Sequence, residues 1–404
     1  MFLMSFLFSR QPIFNSNQSV YGYQLGFEQP LKSVLTALER NNGGGQLHFD
    51  SLVAKRKAFI VFEHLLIEKH WPRKFDPEKL VVEIYAQDIP TAELLQEIHT
   101  LHELGYKVCL TELANLSAWQ LVYPCIAYIK VNATAIDYDV LLPLVDCIGC
   151  YPHIQIIANN LDEREQFADA QRMGFSLFEG HYYATPEVGG KREVAPAEST
   201  LAELLYQTSQ DGVDLKKVME TVSRDVYLTY KLLSYANTVF FKRREEVSTI
   251  KQAVVTLGLS EFQRFISVLL SATLCKGRSN ELVRVSLFRG KFCELLCESI
   301  PGQQTHSSEA FLAGLLSLIE ALFSESKESA IEKLSLSSVL EKAILKQRGP
   351  LAGYIELAKA CEQGDWANVF IISEKKKYTA DLSTLISEAT AWADSQMRFL
   401  NLAK

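Results

Sequence analysis

Leu80-Val81-Val82-Glu83-Ile84, Lys107-Val108-Cys109-Leu110, Ala127-Tyr128-Ile129-Lys130-Val131 and Ile154-Gln155-Ile156-Ile157-Ala158 are short apolar runs separated by stretches of helical periodicity. Each run has the length and the residue types of a strand. Between the first two, Leu94, Leu95, Ile98, Leu101 and His102 recur at helical spacing within Thr91 to Leu104 and stop before Gly105, a common helix terminator. Strand, helix, strand repeats from Leu80 to Tyr183, which implies parallel βαβ units. Runs apolar on both faces suit a parallel sheet covered by helices. Such a sheet is either a closed barrel or a doubly wound layer, and periodicity alone leaves both open.

A chain of 404 residues with 48% apolar and 22% charged content is long enough for two cored domains. Its net charge of -7 argues against general nucleic-acid or anionic-membrane binding, which needs a basic face. Eight cysteines at uneven spacing read as reduced thiols, which points to the cytoplasm and not to a disulfide framework. Met1 to Phe8 is apolar, but Arg10-Gln11-Pro12-Ile13 follows where a cleavage site would stand, so it is expected to lead into a first strand. No window reaches the roughly 18 apolar residues of a membrane span.

Pro186 to Ser199 breaks the alternation with Gly189, Gly190 and Pro196 and reads as an interdomain linker, with Thr200 and Glu203 spaced as a capping box. Almost everything after it is helical in pattern. The expected helices include Leu215 to Ser223, Leu228 to Ala236, Ile250 to Leu257, Glu261 to Leu274, Ser286 to Glu298 and Ser308 to Phe323. The fold class is therefore α/β plus all-α, with domains at 1–190 and 191–404. Gly43-Gly44-Gly45 is read as a turn.

Across roughly residues 5 to 190 the first half resembles the EAL domain, a bacterial barrel that hydrolyses cyclic di-GMP. The likeness rests on Gln11-Pro12-Ile13, on Val20-Tyr21-Gly22-Tyr23-Gln24-Leu25-Gly26-Phe27 at the position of the Glu-Ala-Leu motif, and on Gly180-His181-Tyr182-Tyr183 with Pro186. The resemblance implies a modified (β/α)8 barrel with its ligand mouth at the C-terminal strand ends. It also implies oxygen ligands for two divalent cations, which activate water and neutralise the attacked phosphate.

Several of those positions depart from the family. The motif glutamate is Gln24 and the second-strand asparagine is Val61; the paired aspartates align with Thr111 and Glu112. Asn132 replaces an aspartate, Asn159 and Asp162 stand for glutamates, and Glu179 replaces a glutamine that contacts nucleotide. Gln11, Glu83 and Lys130 match. The expectation is thus a vestigial pocket of Gln11, Gln24, Glu83, Glu112, Lys130, Asn159, Asp162 and Glu179, with no catalytic residues, no metal and no cofactor.

The second half resembles the HDOD domain, a signalling relative of the His-Asp metal phosphohydrolases. Arg224-Asp225-Val226-Tyr227-Leu228-Thr229-Tyr230-Lys231-Leu232-Leu233-Ser234-Tyr235-Ala236-Asn237 looks like its most recognisable helix, with Val226 where proline is usual. Ser248-Thr249-Ile250-Lys251-Gln252-Ala253-Val254 and Leu257-Gly258 follow in order. Ser317 and Leu318 stand where an active phosphohydrolase carries His-Asp. The segment Gly349 to Trp366 completes the pattern of fused EAL–HDOD proteins.

Other constellations have bland readings. Cys147-Ile148-Gly149-Cys150 with nearby His153 has redox or half-zinc spacing, but no second ligand pair accompanies it, so inert thiols are expected. Cys293 and Cys297, and His99 and His102, share helix faces. Lys242-Arg243-Arg244 and Lys375-Lys376-Lys377 read as solvated charge. Trp366, Trp392 and Phe399 read as packing residues.

The sequence thus leads to a catalytically inactive two-domain signalling protein, not an enzyme, whose partners are other signalling or motility proteins. A non-hydrolysing cyclic di-GMP receptor is the alternative. A residual metal-dependent phosphodiesterase using Glu83, Glu112 and Asp162 comes third.

Overall fold

In the computed structural model, residues 6–41, 52–112, 117–132, 149–186, 196–208, 212–237, 247–275, 278–334 and 336–402 are described. Cys147, Gly43 to Gly45 and Lys242 to Arg244 lie outside them. Eight strands close into a barrel: β1 (Phe8–Asn15), β2 (Val20–Phe27), β3 (Lys57–Val61), β4 (Leu80–Tyr85), β5 (Lys107–Thr111), β6 (Ile126–Asn132), β7 (Gln155–Asn159) and β8 (Leu177–Glu179). The alternatives left open by periodicity resolve to the barrel, and the doubly wound layer is excluded. β1 runs antiparallel to both β2 and β8, while every other neighbouring pair is parallel.

Alternation decides what fills the barrel, because successive strand residues face opposite sides. Ile13, Phe59, Val81, Cys109, Tyr128, Ile157 and Leu177 form one buried apolar layer. Tyr21 and Phe59 pack against Tyr128, and the two tyrosine hydroxyls are hydrogen-bonded. The helix Ala92–Glu103 begins where Thr91 accepts a hydrogen bond from the Leu94 N–H, and buries Leu94, Ile98 and Leu101. Gly180 lets β8 turn tightly beside Leu161: a Cβ there would sit 2.0 Å from the Leu161 carbonyl oxygen.

The chain divides into two compact units, Met1–Thr185 with Ala360–Trp366, and Pro186–Lys359 with Ala367–Lys404. Ala360–Trp366 thus clusters with the barrel, although the expected boundaries place it in the helical domain. In the second unit the helix Asn280–Ser299 is the central element, buried along most of its length. Ser307–Leu315 crosses it at Gly314, where a Cβ would meet the Arg289 carbonyl oxygen at 2.3 Å.

Two local expectations are corrected. Thr200 and Glu203 do not cap a helix, because that helix spans Pro196–Thr208 and starts with its proline at the first turn. Ser308 to Phe323 is not one helix: Ser307–Leu315 gives way to a 3-10 turn at Leu316–Leu318 before Ile319–Phe323. The Ser317 hydroxyl donates to the Gly314 carbonyl at 2.7 Å, a local bond that competes with the regular ladder.

Ile250–Leu274 turns at Gly258, whose φ of 74° and ψ of 168° leave the helical region. By length and composition this segment could cross a membrane. Its Phe262, Phe265, Ile266 and Leu270 are instead buried within the helical unit. Trp392 lies edge-on to Phe311 and Phe399 against Tyr235, the packing roles expected of them.

Candidate functional site

The period-two rule that fills the barrel also builds the layer above it. Two residues beyond the inward apolar positions Val81, Cys109, Tyr128, Ile157 and Leu177 stand Glu83, Thr111, Lys130, Asn159 and Glu179. The five strands concerned are parallel, so these side chains gather at one end. Gln24 joins them from β2, where it pairs in register with Gln11 of β1.

Lys130 is the centre of this layer and is almost wholly buried. Its ammonium donates to Gln24 Oε1 at 2.7 Å and to Glu83 Oε2 at 2.9 Å. Glu179 Oε2 also lies 2.9 Å away, as an ion-pair contact. Burial disfavours the charged ammonium, but the carboxylates of Glu179 and Glu83 more than offset this and hold the Lys130 pKa above its ordinary value. Glu83 shifts up as well, because burial outweighs the attraction of Lys130 while Glu179 repels its negative form; a hydrogen bond with Thr111 opposes the rise. Burial and the charges of Glu112 and Glu83 likewise raise Tyr85, at the end of β4.

The eight expected pocket residues separate into groups. Gln24, Glu83, Lys130 and Glu179 converge. Gln11 adjoins Gln24, and Asn159 ends β7 with its Oδ1 buried and without a hydrogen-bond partner. Glu112 adopts a positive φ of 51° just past β5 and accepts a hydrogen bond from Gln87 instead. Asp162 is exposed and faces His181 at 3.5 Å. Both lie beyond the strand ends, where alternation no longer fixes direction. Thr111, left off the list of candidates, belongs to the layer; its spacing from Cys109 is the signal that finds it.

The two-cation set implied by the resemblance does not fit the residues present. Glu83 and Glu179 are engaged by Lys130, Gln24 is neutral, and Val61 is apolar. Among the described residues no group of three or more His, Cys, Asp or Glu side chains is placed to hold a metal ion. In the helical unit, Ser317 accepts a hydrogen bond from Arg289 at 3.2 Å. Cys150 is exposed, and Cys293 and Cys297 are buried thiols. His99 pairs through Nδ1 with the Cys125 thiol at 3.1 Å, a contact the sequence did not indicate.

Comparison with known proteins adds to this geometry. A family model described as the HDOD domain matches residues 195–339. The helical unit contains an HDOD domain. Across 89% of the chain and 86% of the relative, it is 28% identical to cyclic di-GMP phosphodiesterase CdgJ of Vibrio cholerae. It is 27% identical to YuxH of Bacillus subtilis over 89% of the chain and 91% of that protein. Among solved structures, the EAL enzyme Bd1971 with cAMP and cyclic di-GMP aligns over 44% of this chain and 61% of that one, at 12% identity and a TM-score of 0.33. The EAL-domain protein YkuI of Bacillus subtilis, in complex with cyclic di-GMP and calcium, aligns over 62% and 73%, at 15% and 0.35. The expectation that the chain is not an enzyme is overturned here, because a relative aligned over most of both chains is named a phosphodiesterase.

Proposed function

We propose that this protein is a cytoplasmic cyclic di-GMP signalling protein that binds and cleaves the dinucleotide at the Lys130 end of the barrel. The observation that carries the reading is the alignment with CdgJ, which runs through barrel and HDOD regions alike. The geometry supports it with groups suited to phosphodiester chemistry. Lys130 places a fixed positive charge at the strand ends, where βα-barrels present their ligands. Glu83, raised towards neutrality by burial, is suited to hold or accept a proton there. Thr111 and Gln24 add neutral hydrogen-bonding groups. Because the two-cation set does not fit, no step is routed through metal.

Purified protein should convert cyclic di-GMP to its linear form in assays run with and without magnesium. Glu83→Gln should lower the rate by about 10²-fold or more, the usual scale for a lost general acid or base. Absence of both product and binding in the wild type would refute the proposal.

In this reading residues 1–190 supply the nucleotide site and residues 191–404 relay its state to other signalling or motility proteins. Val226, Tyr227 and Tyr230 are exposed at the start of the Val226–Ala236 helix and offer the face such a protein would meet. A protein carrying Tyr227→Ser and Tyr230→Ser should lose partners that the wild type retains on an affinity column; unchanged capture would exclude that face.

A further inference from the structure

The alternation that gathers a compensated charge at the Lys130 end of the barrel gathers a row of lysines at the other. Lys57, Lys79 and Lys107 lie two residues before the inward Phe59, Val81 and Cys109, just as Glu83 and Thr111 lie two residues beyond Val81 and Cys109. They stand at the starts of β3, β4 and β5, which are consecutive and parallel. The Lys79 carbonyl accepts the Ala58 N–H at 2.8 Å, which carries the β3–β4 ladder down to this level. Direction is fixed independently at Lys57. Gly22 stands opposite it on β2, and a Cβ there would sit 3.3 Å from Lys57 Cβ and 2.9 Å from Phe59 Cε2, so Lys57 leaves its strand on the Phe59 side. Lys55 and Arg56 precede it and add to the positive charge.

The carboxylates that hold Lys130 have no counterpart here. Lys57 is half-buried and donates to the Glu78 carbonyl oxygen at 3.4 Å, while Lys107 is exposed. Among the described residues neither forms an ion pair. Burial first, and then the charge of Lys107, hold the Lys57 ammonium below its ordinary range, with Glu78 acting the other way. An anion that joins the two cations relieves their repulsion. Ammoniums bind phosphate as point charges, with three donors each. Neighbouring strands stand about 4.8 Å apart, so lysines on three of them form a row roughly 10 Å long. Such a row suits linked phosphates better than a single one. In the barrel unit the exposed large aromatic among the described residues is Tyr85, at the opposite end, so the rim offers a base no stacking surface. We infer that the N-terminal rim of the barrel, built by Lys57, Lys79 and Lys107, binds a short polyphosphate chain. The site does not depend on the chemistry proposed at the Lys130 end, so either reading can fail alone.

The test is titration calorimetry of the full chain with sodium tripolyphosphate and, separately, with ATP, at constant ionic strength and without divalent cations. The wild type should bind tripolyphosphate at one site. Lys107→Glu should weaken that binding by about tenfold or more, the scale of one lost charge-assisted hydrogen bond. Lys107 is exposed, so this variant should keep the wild-type unfolding midpoint in buffer. Lys57→Gln should weaken binding from the neighbouring position, Lys107→Arg, which keeps the charge, should bind like the wild type, and Lys375→Glu in the helical unit should change nothing. If tripolyphosphate and ATP both bind through Lys107, the inference stands, and the tighter of the two names the source as an inorganic chain or a nucleotide. No tripolyphosphate binding by the wild type, unchanged affinity in Lys107→Glu, or an equal loss in Lys375→Glu would each overturn it. If the wild type instead sediments with vesicles of equal parts phosphatidylcholine and phosphatidylserine and gives no heat with tripolyphosphate, the rim is a membrane contact and the inference fails.

Discussion

The barrel and the helical unit each bury an ion cluster, and the two are near mirror images in charge. In the barrel one cation, Lys130, sits between the carboxylates of Glu83 and Glu179. In the helical unit one buried carboxylate, Glu294, pairs with Arg264 and with Lys291, the latter at 2.8 Å. The surroundings differ as much as the signs. Arg264 also bonds to Glu261 and lies over the Phe311 ring, while Glu261 accepts from the Tyr235 hydroxyl at 2.6 Å. Lys291 approaches the Trp392 ring at 6.0 Å. Aromatic side chains from three helices, Tyr235, Phe311 and Trp392, pack around the helical cluster, which is how a structural ion network is built. The barrel cluster instead crowns an apolar layer at the strand ends, its three charged side chains only 3–7% exposed where Arg264 and Lys291 keep 17% and 18%. A buried charge is therefore informative about function only together with what covers it.

The largest expected effect is on the covered cluster. Glu294→Ala leaves Arg264 and Lys291 without the carboxylate they share. Losing one member of a buried ion network costs about 3–5 kcal/mol. Chemical denaturation of the full chain should show an earlier transition for the helical unit, with cyclic di-GMP binding at the barrel unchanged. If unfolding matches the wild type, the cluster is not structural and the contrast with the barrel collapses.

How far this contrast was legible in the sequence follows from where each cluster's signal lies. Strand alternation places Glu83 and Lys130 two residues beyond Val81 and Tyr128, so a correct strand reading already puts them inward at one end. The resemblance supplied Glu179 and Gln24, whose strands are short or irregular. At Glu112 and Asp162, past the strand ends, a positive φ at one and solvent exposure at the other are not coded by periodicity. The helical cluster was not legible at all. Glu261, Arg264, Lys291 and Glu294 are ordinary charged residues on helical patterns, and only the packing of Ile250–Leu274 against Asn280–Ser299 brings them together. The break at Ser317 was hidden in a uniformly apolar run, since it arises from one hydroxyl bonding to Gly314.

The smallest effects are the most diagnostic, because Glu83 in the barrel and Asp381 in the helical unit should respond to pH in opposite directions. Glu83 is raised above its ordinary 4.5, chiefly by burial, so the folded barrel holds this proton more tightly than the unfolded chain does. Its contribution to stability is complete below 4.5 and is lost as pH rises through the folded value, with a slope of at most about 1.4 kcal/mol per pH unit for a single proton. Lys130, held above 10.5, stays charged throughout. Asp381 behaves in reverse. It caps the helix Leu382–Phe399, and hydrogen bonds from the side chains of Thr384 and Ser383 hold its carboxyl below the ordinary 3.8. That contribution is present above 3.8 and is lost as pH falls through the lower folded value. Asp381→Ala should remove the acid-side loss and cost about 1 kcal/mol near neutrality, the usual worth of an N-cap. Glu83→Gln should flatten the decline on the other side. Amide exchange resolves the units: barrel strands should lose protection as pH rises above 4.5 through the raised folded value in the wild type but not in Glu83→Gln, after correction for intrinsic exchange rates. The start of the helix bearing Trp392 should weaken at acid pH, where the Asp381 cap is lost. Parallel pH responses in the two units would mean that the buried carboxylate at the mouth is not the group that sets the barrel's stability.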